Sequence, residues 1–179
     1  MATKDIPLSV ANIRALRNGI KELARELRED IPTQVEQNLA EMVATEVRSN
    51  IAAVASLGHY GIDGNYDGAD PSAVSVQLGF VGHDVVWRGT QIGFIEFGTG
   101  AAGAAAPYGG PAMGAAGYHP DPTKDGWWYR DAVLGPWYSL GLRPQAPMLN
   151  ATPLLRSRNA LRLAAGPPIR EALNRAVTV

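Results

Sequence analysis

Four groups of residues in this chain have types and spacings that chemistry can use. Glu96 is an acid set between Ile95 and Phe97 and followed by Gly98, a setting in which a carboxyl can act as a general base. His119 with Asp121 and Asp125 puts an imidazole near two carboxylates, donors that suit a metal ion. Gly98-Thr99-Gly100-Ala101-Ala102-Gly103 matches G-x-G-x-x-G, with Asp121 further on, the pattern that brings a pyrophosphate to a helix N-terminus. Asp63-Gly64-Asn65-Tyr66-Asp67-Gly68 alternates oxygen donors before a glycine, like the first half of a calcium loop.

Each pattern lacks the context it needs. The glycines of a dinucleotide fold open a helix, but Pro107, Gly109, Gly110 and Pro111 follow here, and no P-loop lysine is present. A calcium loop needs a bidentate glutamate where this chain has Val74; an Asx-rich turn accounts for Asp63 to Gly68. His59 and His83 are not spaced to assist His119. No G-x-S-x-G motif accompanies Glu96, and with no cysteine there is no thiolate chemistry. A glutamate that caps a turn or pairs with an arginine is the simpler role for Glu96. The sequence therefore assigns no catalytic, cofactor or metal residue. The alternative is a small metal-dependent hydrolase built around Glu96, His119 and Asp121.

The elements that would position these groups follow from periodicity. Ser9 has the chemistry of an N-cap, and Ile13, Leu16, Ile20, Leu23, Leu27 and Ile31 recur at helical spacing. The charges on the other face, mixed in sign, read as a solvated surface. Pro32 is expected to break or kink this pattern, with Thr33 and Glu36 as a capping box for a second stretch to about Ser56. Val74 to Phe80 alternates as a half-buried strand, and Asp84 to Arg88 returns from a turn. Gln91 to Phe97 fits either strand or short helix.

Gly98 to Gly126 is a long Gly/Ala-rich loop, and a loop of that length is either disordered or functional. Gly126-Trp127-Trp128-Tyr129-Arg130 and Pro136-Trp137-Tyr138 follow, aromatics that suit either a core or a subunit interface. The terminal helix is expected to start between Pro147 and Pro153, with Thr152 as N-cap, and to be interrupted at Gly166-Pro167-Pro168. The expected class is α+β, a single domain over 1–179: a helical segment over 1–57, a small antiparallel sheet over 72–146 carrying the loop 98–126, and a C-terminal helical tail over 147–179.

A net charge of −1 gives no global pull on nucleic acid or membrane. The distribution is uneven: six arginines and one acid follow Asp131. A nucleic-acid-binding module using Arg156, Arg158, Arg162, Arg170 and Arg175 is a third class of reading. No apolar run is long enough to span a bilayer, so a soluble, cytoplasmically made protein is expected.

The order of these pieces resembles the neck and tail-completion proteins of HK97-type long-tailed bacteriophages, often described as minor tail or tail-component proteins. In that family an E-[FY]-G-T element precedes the loop, as Glu96-Phe97-Gly98-Thr99 does here. A proline-containing segment then leads into the last helix, as Ala146-Pro147-Met148-Leu149-Asn150-Ala151 does. The resemblance implies a structural virion protein, not an enzyme, that assembles as rings, often six-fold, at the head–tail junction or on the tail. Its implied partners are copies of itself and other connector, tail terminator or tail tube proteins, with DNA passing through the ring and no membrane. The subunit interface would then draw on Glu96, Phe97, Tyr108, Tyr118, Trp127, Trp128 and Trp137, with Ala101 to Gly126 docking on a neighbour.

Overall fold

The first helix begins where its sequence supplies a cap. The Ser9 hydroxyl accepts from the Asn12 amide at 3.1 Å, satisfying one of the orphan donors of the first turn. From there α1 runs Val10–Glu26. The structure is a computed structural model and describes residues 9–57, 66, 68–89, 92–98, 127–131, 135–139 and 145–177. The elements that follow are α2 (Asp30–Ala55), β1 (Val74–Leu78), β2 (His83–Trp87), α3 (Ile92–Phe97), β3 (Trp127–Asp131), β4 (Gly135–Ser139), α4 (Pro147–Ala151) and α5 (Arg158–Val177). The class is α+β.

The break between α1 and α2 falls at Leu27–Glu29, not at Pro32. Proline is tolerated in the first turn of a helix, where its missing N–H is not needed, and Pro32 is the third residue of α2. Thr33 is therefore inside the helix, its hydroxyl donating to the Glu29 carbonyl, and the expected capping box does not form. The turn is clamped by Arg25 instead, which meets Glu22 at 2.6 Å, Glu29 at 3.0 Å and Asp30 at 3.2 Å. The hydrogen bonds it donates to Glu22 and Glu29 hold the Arg25 guanidinium above its ordinary pKa, and the bond accepted from Arg25 holds Glu22 below the usual carboxylate range.

By packing, the chain gathers into two units: Met1–Met42, Leu78–Asp84 and Leu154–Val179 form one, and Val43–Gln77 with Val85–Pro153 the other. In the first unit α1 packs on α5. The face α1 uses is turned about a quarter of the way round from the Ile13, Ile20 and Leu27 line, and those three side chains stay exposed. The cause is Gly19. A Cβ there would collide with the Ala176 carbonyl, so the glycine lets the two backbones approach. Glu26, expected on the solvated face, is thereby buried and meets Arg175 at 2.9 Å. This bond to Glu26 raises the Arg175 pKa. Gly19→Ala should destabilise the first unit by about 1 kcal/mol, because overpacking costs about 1–3 kcal/mol against about 1 kcal/mol gained in helix propensity. Urea unfolding measures it; an unchanged or raised midpoint would remove the close approach as the reason for glycine.

Helix α5 passes through Pro167 and Pro168 without interruption, contrary to the expected break. Pro168 has no amide to donate to the Ala164 carbonyl four residues back. The Asn38 side chain of α2 supplies the missing donor, at 2.9 Å. Pro167 would have bonded Leu163, an exposed residue whose carbonyl water can serve. The helix is preceded by Ser157, whose hydroxyl accepts from the Ala160 amide. Thr152 lies in the 3-10 turn Thr152–Arg156 and donates to the Leu149 carbonyl, so it is not the expected N-cap.

In the second unit the later half of α2 buries Val43, Ala44, Val47, Ile51 and Val54, largely the face read from spacing. Each fully buried aliphatic side chain contributes about 1.5–3 kcal/mol. Strands β1 and β2 pair, as do β3 and β4. The β3–β4 ladder is antiparallel with Trp128 opposite Tyr138 and Tyr129 opposite Trp137, so the aromatic cluster is one hairpin. Before β1, Asp70 accepts from both the hydroxyl and the amide of Ser72, at 2.7 and 2.8 Å. These bonds, the hydroxyl first, lower the Asp70 pKa. A depressed carboxyl stabilises the fold above its unfolded pKa and loses that contribution as pH falls through the folded value. Ser72→Ala should move the Asp70 pKa back up towards the ordinary value in an NMR titration; no movement would reassign the cause.

Candidate functional site

The first turn of α4 poses a problem that its own sequence does not solve. Ala146 stands at the N-cap position in the left-handed region, φ 50° and ψ 44°, and has no side chain with which to cap. Pro147, at the first helical position, has no amide to satisfy. Met148 and Leu149 do, and both donate to Glu96: the Met148 amide to Oε2 and the Leu149 amide to Oε1, each at 3.0 Å. The next amide, Asn150, returns to the Ala146 carbonyl at 2.9 Å as a regular helical bond. Every donor of the turn is thus accounted for, two of them by a carboxylate some fifty positions away in sequence.

Glu96 is held in place by its own helix. Ile95 is fully buried and Glu96 nearly so. Directly after α3, Gly98 takes φ 77°, the left-handed conformation in which glycine ends a helix without steric cost. The sharp turn expected after Phe97 is therefore observed, and Ile92–Phe97 resolves as helix. The Gln145 amide donates to the Ile95 carbonyl at 2.8 Å, and its side-chain amide donates to the Tyr66 hydroxyl at 2.9 Å. Asn150 donates to the Gln145 carbonyl at 3.1 Å. From α2, Asn50 donates to the Pro147 carbonyl at 3.1 Å. Tyr66, 1% exposed, is the largest fully buried side chain described. In the sequence stretch Asp63 to Gly68, then, Tyr66 is a core anchor.

This arrangement fixes Glu96 as a cap, the simpler of the roles its sequence allowed. Of the residues named with it as candidate interface, Phe97 ends α3 and Trp127, Trp128 and Trp137 lie on the β3–β4 hairpin. Tyr108 and Tyr118 fall outside the described residues, as do His119, Asp121 and the rest of the loop from residue 99 to 126. Asp63, Asn65 and Asp67 fall outside them too. Among the described residues no group of three His, Cys, Asp or Glu side chains could hold a metal ion, and no helix is long and apolar enough to cross a membrane. The cleft between α1 and α5 around Gly19 and Glu26 holds only about 120 Å³.

What sequence reasoning missed is the pairing: nothing in the spacing of Glu96 and Met148 signals contact. The available hint was negative, a Pro147 helix start preceded by Ala146, which cannot cap. Protein-family models, curated proteins and solved structures contain no match to this chain.

Proposed function

We propose that this chain is a structural subunit of a tailed bacteriophage or phage-like particle, forming part of the head-to-tail connector or completing the tail by ring assembly. The observation that carries the reading is the junction at Glu96. The two sequence elements on which the resemblance rests, around Glu96 and around Pro147, form one hydrogen-bonded unit. Their role is to hold the chain in shape, as motifs of a structural protein do. The exposed Ile13, Ile20, Phe80 and Val81 give further support, since apolar surface of this kind is covered when a subunit assembles.

In this reading the protein is a virion component and not an enzyme. Copies join by heterologous contacts into a ring, often six-fold in the family it resembles. Tyr108, Tyr118, Trp127, Trp128 and Trp137 serve the subunit interface. Neighbours above and below are connector, tail terminator or tail tube proteins, and DNA passes through the ring. Light scattering at several concentrations and salt strengths, with electron microscopy of the same samples, tests the proposal. A discrete ring, or a monomer that enters rings only with other virion proteins, supports it. A monomer or dimer that joins no larger assembly overturns it.

A further inference from the structure

The hairpin between β1 and β2 ends in Leu78, Phe80 and Val81, which are 77, 104 and 87% exposed. The turn that carries them is nevertheless firmly held. The Gly79 amide donates to the Gly82 carbonyl at 2.6 Å. Gly82 has φ 85°, and the Glu36 carboxylate of α2 occupies the place where a side chain would begin. The same carboxylate accepts from the His83 amide. The Asp84 carboxylate stands in the same relation to Gly79. Two acids therefore lie at the base of the tip while three apolar side chains face water. A tip ordered in advance loses little entropy when it docks.

Helix α5 offers a surface of matching character and opposite charge. Residues four apart on a helix form inclined ridges. The ridge from Ala160 to Ala176 is buried. The adjacent ridge is apolar, and on it Leu161, Leu173 and Val177 are about half exposed, at 43, 45 and 55%. The ridge beyond carries the exposed Arg158, Arg162 and Arg170. No acid stands on either of the two outer ridges.

We propose that the hairpin tip of one copy docks on α5 of a second copy. Phe80 and Val81 lie against the ridge from Leu161 to Leu173, and Arg158 and Arg162 face Glu36 and Asp84. The inference rests on the ring reading and names the surfaces that meet. Tip and ridge are different patches of one chain, so the contact is heterologous and repeats from copy to copy. The choice of a second copy over another partner rests on charge: an acid-based apolar knob and an arginine-flanked apolar ridge are both uncovered in the same molecule.

The chain has no cysteine, so thiols can be placed one at a time in the full-length protein. Phe80→Cys mixed with Leu161→Cys, and Phe80→Cys mixed with Leu173→Cys, are oxidised gently and run on denaturing gels. A disulfide forms only where the two Cα atoms come within about 7 Å. At least one mixture should give several-fold more cross-linked dimer than either variant alone, and Arg158→Glu with Arg162→Glu in the ridge variant should reduce that yield. Light scattering before oxidation reports assembly separately. Assembly without mixture-specific dimers overturns this contact and leaves the ring reading standing. Neither assembly nor dimers overturns this contact, and overturns the ring reading as well only where the chain also joins no ring with other virion proteins. Dimers from Phe80→Cys alone mean tip-to-tip pairing and overturn the proposed contact.

Discussion

Glu96→Ala should lower the stability of the second unit by about 2–4 kcal/mol. The carboxylate accepts two amides at the start of α4, each at 3.0 Å. Hydrogen bonds to a charged group are worth about 1.5–3 kcal/mol each. Met148 is half-buried and Leu149 exposed, so water recovers part of the loss and the sum lies below the simple total. Two features deepen the effect. Neither Ala146 nor Pro147 can take over the cap, and truncating Glu96 leaves a void at a position only 5% exposed. Glu96→Gln should cost about half as much, because its carbonyl oxygen still accepts one amide while its NH₂ faces the other donor. Urea unfolding gives the midpoints, and hydrogen exchange gives the location: the Met148 and Leu149 amides should exchange faster in Glu96→Ala before any other region changes. Coincident midpoints for Glu96→Ala and the parent would show that the cap does not hold the unit together.

The second large effect is expected at Asn38. Removing its side chain by Asn38→Ala leaves the Ala164 carbonyl without the donor that Pro168 cannot provide, and should cost about 2 kcal/mol. An unsatisfied buried polar group typically costs about 1–3 kcal/mol. The decisive comparison is the same substitution made with Pro168→Ala. An alanine amide at 168 can donate to the Ala164 carbonyl within the helix, so Asn38→Ala should then cost less than half as much. The two positions interact through one acceptor, and a double-mutant cycle measures that coupling directly. Equal losses in both backgrounds would mean that Asn38 contributes by packing alone and that α5 tolerates its prolines for another reason.

These two cases also mark the boundary of what the sequence carries. Local signals were legible because they act through near neighbours. Ser9 as a cap, the buried face of α2 from Val43 to Val54, the β1–β2 hairpin and the turn at Gly98 each depend on a few adjacent residues. So the α+β class was legible in the sequence alone, and so was a capping role among those open to Glu96.

Tertiary structure decided the rest, because each remaining outcome depends on a residue far away in sequence. Pro167 and Pro168 read locally as a helix break; Asn38, on another helix, supplies the donor that keeps the Ala164 carbonyl satisfied and the helix whole. Thr33 and Glu36 read as a capping box; the His83 amide takes Glu36 instead, while Pro32 fits harmlessly into a first turn. The stripe from Ile13 to Ile31 read as a core face; Leu16 and Leu23 are half-buried and Ile31 is buried, but the close backbone approach at Gly19 turns the packed face away from Ile13, Ile20 and Leu27. Glu96 could be read as a cap but not matched to its helix, since hydrogen bonding is short-ranged in space and carries no fixed interval along the chain.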